Sequence, residues 1–132
     1  MQAQEARQVL YELGRRADRE GIGSLSPQEA TALNAWSGHG VIGNGGFRYF
    51  YEGSRSLAEL AAAFRVLGFA QAAEACEKVR NAVPIGDVPA DAGERWVVLR
   101  SVDWNAFQEE EAAVFDVGWD QLLDAIAKLL TR

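Results

Sequence analysis

Residues 37–50 read SGHGVIGNGGFRYF and contain five of the chain's thirteen glycines. Within this stretch, GHGVIG at 38–43 matches the G-x-G-x-x-G pattern of dinucleotide-binding loops. A loop of that kind follows a β-strand and opens a helix inside a βαβ unit, whereas a connection between two helices requires no strand. The stretch therefore decides between an α/β nucleotide-binding fold and an all-α fold.

The segment before the glycines is typical of a helix rather than a strand. SPQEATALNAW at 26–36 begins with Ser26 as N-cap, Pro27 at the first helical position and Glu29 three residues after the cap. This is a capping box with proline where its missing N–H costs least. A P-loop would also require G-K-[ST], which does not follow. We therefore predict that the glycine stretch binds no nucleotide.

The glycines are instead predicted to connect two helices. Gly38 should end the first helix, and Gly40 and Gly43 should form a tight loop. Asn44 can cap the next helix with its side chain. The two glycines that follow Asn44 lack a Cβ, so the start of the next helix can lie close to neighbouring backbone.

Apolar residues at helical spacing predict about six to seven short helices along the chain. The clearest of these segments are 5–19, 26–37, 56–67, 72–83 and 118–131. WVVL at 96–99 could form a strand alone, but it would have no partner strand, so a helix is predicted there. Residues 84–90 are predicted to form a loop. The sequence thus predicts an all-α fold, with residues 1–132 in a single compact helical domain.

The net charge of −6 is concentrated near the C-terminal end of the sequence. Residues 1–82 are net neutral, whereas residues 102–132 hold seven acidic residues against Lys128 and Arg132, a net charge of −5. Such an acidic region argues against direct nucleic-acid binding and suits a basic protein partner. A solvated surface that aids solubility is the alternative.

The compartment is also indicated by the sequence. The single cysteine, Cys76, cannot form an internal disulfide, which fits a reducing environment. Residues 1–20 lack the basic segment and apolar core of a secretory signal, and no apolar run is long enough for a membrane span. We expect a cytoplasmic protein that does not contact membranes.

A family resemblance begins at the second half of the glycine stretch. NGGFRYFYEGS at 44–54, LAELAAAFRVLGFAQAAEAC at 57–76 and VPIGDVPADAGERW at 83–96 resemble a family of small bacterial helical proteins named after a DNA-mimic protein. The resemblance covers about residues 25–130. The positions that carry it are Asn44, Gly45, Gly46, Phe47, Phe50, Leu67, Gly68, Pro84 and Gly86. It implies a helical fold and an acidic, DNA-like surface that binds a transcription factor in place of DNA.

Acidic residues near the C-terminus are the candidate partner-binding residues. Asp116, Asp120 and Asp124 are spaced one helical turn apart, about 6 Å per step. Phosphates on one DNA strand advance about 3.4 Å along the axis, so one acid per turn could imitate alternate phosphates. The alternative is a solvated face, in which Asp116 starts a helix and Asp124 pairs with Lys128. The predicted partner-binding residues are Glu109, Glu110, Asp116, Asp120 and Asp124.

Few residues indicate catalysis. His39 is the only histidine, and in a glycine loop it could act as a general base or a ligand. A pocket formed with Asn44 and Tyr49 would favour an enzyme or a small-molecule binder. Cys76 lies on an apolar helix stripe and is predicted to be inert. We predict no catalytic residue, no metal site and no cofactor.

These observations favour a non-enzymatic protein-interaction module, which could be an inhibitor that presents an acidic, DNA-like surface to a basic protein such as a transcription factor. An immunity or antitoxin-type protein that covers a toxin is the first alternative. An enzyme or small-molecule binder that uses the loop around His39 is the second. Assembly as a homodimer is also left open.

Overall fold

The computed structural model describes residues 1–53, 55–84 and 91–132. These residues form seven α-helices, two 3-10 helices and no β-strand, which confirms the predicted all-α fold. The α-helices are α1 (Ala3–Glu20), α2 (Pro27–Glu52), α3 (Leu57–Val66), α4 (Ala70–Ala82), α5 (Ala92–Ser101), α6 (Gln108–Phe115) and α7 (Trp119–Leu130). The 3-10 helices are Ile22–Ser24 and Trp104–Phe107. Most of the predicted loop at 84–90, with the matched Gly86, lies outside the described residues.

Local capping starts several of these helices, as the sequence predicts. At α2 the Ser26 hydroxyl accepts a hydrogen bond from the Glu29 N–H at 3.1 Å, and the Glu29 carboxylate accepts one from the Ser26 N–H at 2.9 Å. At α3 the Ser56 hydroxyl accepts from the Glu59 N–H at 3.2 Å. Each such bond satisfies a backbone donor that the first helical turn leaves without a partner.

The predicted helix–loop–helix connection at the glycines is wrong. Helix α2 continues through Gly38, Gly40 and Gly43, and its only interruption is at Gly46, where φ is 73° and ψ is −170°. A Cβ on Gly38 would lie 2.6 Å from Leu60 Cδ1 of α3. The absence of a side chain at Gly38 therefore permits close helix packing rather than a turn, and these contacts outweigh the low helix propensity of glycine.

The main core forms around the second half of α2. Phe47, Phe50 and Tyr51 are buried there, and the Phe47 and Phe107 rings meet edge to face at 6.5 Å. Helix α3 packs against both α2 and α4, α4 packs against α6, and α7 packs against α1 and α2. A smaller apolar cluster of Leu13, Leu25 and Leu33 joins α1 to the start of α2. The long α2 therefore contacts most of the other helices and positions the C-terminal third.

Candidate partner-binding surface

The predicted partner-binding acids lie on the outer face of α6, on the turn after it and on α7. Glu109 and Glu110 belong to the first turn of α6, where negative charge is favoured by the helix dipole. They line a shallow groove of about 250 Å³ together with Glu74 and Lys78 of α4. The acidic residues of α4, α6, the turn after α6 and α7 are together called the acidic surface below, and they are Glu74, Glu109, Glu110, Asp116, Asp120 and Asp124.

Asp116 does not extend a row of acids along α7, contrary to the prediction. Helix α6 ends at Phe115, Asp116 is its C-cap, and α7 begins at Trp119 with Gly118 as its N-cap. The alternative role of Asp116 as a helix-start residue is therefore wrong as well. The one-per-turn spacing holds only for Asp120 and Asp124, so the acidic surface spans a helix–turn–helix rather than one helix face.

In the described part of the chain no carboxylate of the acidic surface forms an ion pair, although Lys78 lines the same groove as Glu74, Glu109 and Glu110. The three ion pairs found there are Arg16–Glu29, Arg48–Glu52 and Arg65–Glu77. None of them involves an acid of this surface, so the Asp124–Lys128 pair of the solvated-face alternative is not formed. Four of the acids predicted from the sequence are exposed, and Glu110 is half-buried with Oε2 lacking a hydrogen-bond partner.

Glu111, the third acid of the EEE run at 109–111, has a structural contact that the sequence did not reveal. Its Oε1 accepts a hydrogen bond from the Phe47 N–H at 3.2 Å. Phe47 starts the second part of α2 after the break at Gly46, so Glu111 caps that helix from 64 residues away. The cap predicted for Asn44 is not found, and Asn44 is an exposed residue within α2.

His39 lies inside α2 rather than in a loop and is only 4% exposed. Its Nε2 donates a hydrogen bond to the Val117 carbonyl at 2.6 Å, and its Nδ1 is buried with no hydrogen-bond partner. Burial lowers the pKa of His39, and the bond to the Val117 carbonyl partly opposes that shift. The imidazole therefore holds the turn between α6 and α7 against α2.

The three residues of the enzyme alternative are not brought together. Asn44 and Tyr49 line a small open pocket with Gly45, but His39 is not part of it. Among residues 1–53, 55–84 and 91–132, no group of three or more His, Cys, Asp or Glu side chains could hold a metal ion. A cleft of about 630 Å³ between α1, α2 and α3 shares no residue with the acidic surface.

Trp119, the first residue of α7, is 43% exposed. Its ring meets the Trp36 ring edge to face at 4.7 Å and the His39 ring at 4.4 Å. A Cβ on Gly40 would lie 3.4 Å from Trp119 Cη2, so glycine leaves room for this ring. Phe115, at the end of α6, is 47% exposed. Two large aromatic side chains therefore adjoin Asp116 and Asp120 at the surface.

No described helix is long and apolar enough to cross a lipid bilayer.

Comparison with known proteins gives one match, which is to a family model. No curated protein and no solved structure matches the chain. A family described as DMP19-like protein matches residues 23–132, which include α2 to α7 and all the acids of the acidic surface. The chain therefore belongs to the DMP19-like protein family.

Proposed function

We propose that this protein is a non-enzymatic inhibitor that binds a basic DNA-binding protein through the acidic surface and competes with DNA for it. Membership of the DMP19-like family suggests a protein-interaction role based on DNA mimicry. The observation that carries the proposal is that the carboxylates of Glu109, Asp116, Asp120 and Asp124 are exposed and that no ion pair of the described residues involves them.

Electrostatics support this choice of partner. An excess of carboxylates that form no ion pairs produces a negative potential that attracts a cationic protein and repels nucleic acid. Such attraction raises the rate of association more than it strengthens the final complex. It should weaken as salt shortens the Debye length from about 10 Å at 0.1 M to about 3 Å at 1 M.

A pair of charge-matched variants tests the proposal. The surface variant carries Glu109→Gln, Asp116→Asn, Asp120→Asn and Asp124→Asn. The control variant carries Glu12→Gln, Asp18→Asn, Glu20→Gln and Glu59→Gln. All eight positions are exposed, and each variant removes four negative charges. Partners are captured from native lysate on the parent and on both variants at low and high salt.

The expected result is a basic, DNA-binding protein that the parent and the control variant retain at low salt and that the surface variant loses. Purified duplex DNA should then displace that protein from the parent. Equal capture by both variants would contradict the role of the acidic surface. A captured nuclease or other toxin that DNA does not displace would favour the immunity or antitoxin alternative instead.

A further inference from the structure

We infer that the exposed aromatic residues Phe115 and Trp119, at the end of α6 and the start of α7, bind arginine side chains of the basic partner. The inference rests on the proposed function and adds which residues of the surface recognise the partner. Large aromatic side chains are normally buried, yet these two are 47% and 43% exposed. Each is followed directly by an exposed acid, Asp116 or Asp120.

The turn that presents these residues is held in place from inside the protein. Between the two aromatic–acid pairs lies Val117, whose side chain is buried and whose carbonyl accepts the His39 hydrogen bond at 2.6 Å. The Trp119 ring is in edge contact with Trp36 and His39. A rigid side chain loses little conformational entropy on binding, so a fixed indole suits a contact residue.

The chemistry of the two pairs favours arginine. A guanidinium is planar, stacks on aromatic faces and presents a fork of N–H donors that matches a carboxylate. An aromatic ring beside a carboxylate therefore offers both contacts at once. The same stacking occurs within this molecule, where Arg7 lies over the Trp36 ring at 5.5 Å and Arg15 lies over Tyr11 at 4.9 Å. A lysine ammonium gains less, because it is a compact and strongly hydrated charge.

Charge also favours a basic partner over a second copy of this chain. A symmetric contact through the turn would bring Asp116 and Asp120 of one copy close to the same residues of the other. In the described structure neither acid has an ion-pair partner that would offset this repulsion. Like charges placed together across an interface disfavour that contact.

Nuclear magnetic resonance of the indole N–H groups tests the inference directly. The chain contains four tryptophans, and the signal of Trp119 is the one that Trp119→Phe removes. The probes are octa-arginine and octalysine peptides, added to the full-length protein at 0.1 M salt. We expect octa-arginine to shift the Trp119 signal more than octalysine does. The matched control is Trp96, which is 50% exposed on α5 and whose signal should move little.

Measuring the affinity of octa-arginine for variants of the protein completes the test. Phe115→Ser and Trp119→Leu should each weaken octa-arginine binding about 3- to 10-fold, as expected for loss of a cation–π contact. Trp96→Leu should leave the affinity unchanged, and circular dichroism checks that every variant is folded. Phe115→Ser alters a half-exposed side chain, so it keeps the test valid if Trp119→Leu disturbs the contact with His39.

Three results would overturn the inference. If the two peptides bind equally and only the four-acid surface variant weakens their binding, the role inferred for Phe115 and Trp119 is wrong while the proposed function stands. If neither peptide binds, both proposals lose their basis. If the Trp119 signal shifts on dilution without any peptide, the turn is a contact between two copies of the chain.

Discussion

The carboxylate of Glu111 on α6 accepts the N–H of Phe47 on α2 at 3.2 Å, directly after the helix breaks at Gly46. This bond supplies an N-cap from another helix, at a place where no local side chain does so. The three consecutive acids of α6 therefore differ in their contacts. Glu109 and Glu110 line the groove beside α4, whereas Glu111 contacts α2.

Replacing Glu111 should therefore destabilise the protein. We expect Glu111→Ala to lower the free energy of unfolding by about 1–2 kcal/mol, the usual effect of removing an N-cap side chain. Urea denaturation followed by circular dichroism measures it. Glu109→Ala is the control, because Glu109 is exposed and should change stability by less than about 0.5 kcal/mol. Equal effects of the two substitutions would mean that the cap contributes nothing.

Two glycines of α2 should respond to alanine in opposite directions. Gly46 has a φ of 73°, and a Cβ there would collide with the Glu111 carboxylate, so Gly46→Ala should destabilise by about 1–3 kcal/mol. Gly43 is helical with nothing within 4 Å of an added Cβ, so Gly43→Ala should stabilise by about 0.5–1 kcal/mol. Thermal melts of the pair provide the measurement, and a loss of stability at Gly43 would contradict its position in a regular helix.

Stability should fall on mild acidification because of His39. Burial holds the pKa of His39 below its ordinary value of about 6.5 in the folded protein. Above that value the ring is neutral in both states. As the pH falls below about 6.5, the unfolded chain binds a proton that the folded protein does not, and the free energy of unfolding decreases.

The loss should level off once the pH reaches the lowered pKa of the folded state. The measurement is urea unfolding at intervals from pH 7.5 to pH 5.5, compared with His39→Gln. The slope should be present in the parent and absent in the variant, whatever the stability of the variant itself. Since His39 is the only histidine, parallel curves would show that burial does not shift its titration.

Cys76 should react with thiol reagents only when the protein unfolds. It is completely buried, and burial, aided by the charge of Glu77, raises the pKa of its thiol to about 12. Almost no thiolate is then present at pH 8. We expect slow labelling of the native protein by a disulfide reagent and fast labelling in urea. Gly46→Ala should accelerate native labelling, whereas rapid labelling of the parent would indicate an accessible thiol.

Much of the fold could be predicted from local sequence. The Ser26–Glu29 capping box and the apolar spacing of α3 and α7 depend on residues within a few positions of each other, and the structure confirms them. The helical conformation of the glycine stretch could not be predicted from local sequence. That conformation depends on Leu60 and Trp119, which approach where glycine leaves space.

The candidate site was predictable in composition but not in geometry. Counting charges located the acidic third, and the family match covers it. The helix predicted at 118–131 was found, but Asp116 was wrongly placed in one row with Asp120 and Asp124, because the three acids have helical spacing although Gly118 starts a new helix. The contact of Glu111 with Phe47 joins residues 64 apart, and no local pattern indicates which of three consecutive glutamates forms it.

The long-range hydrogen bonds of α2 also set an order for folding. Helices α3 and α4 are separated by three residues, so they can pair early. The bonds from Phe47 to Glu111 and from His39 to Val117 close loops of 64 and 78 residues, and the entropy of loop closure makes such contacts late. During synthesis the middle of α2 is therefore exposed until the last third leaves the ribosome. The second part of α2 therefore gains its N-cap only after α6 has been synthesised and has folded.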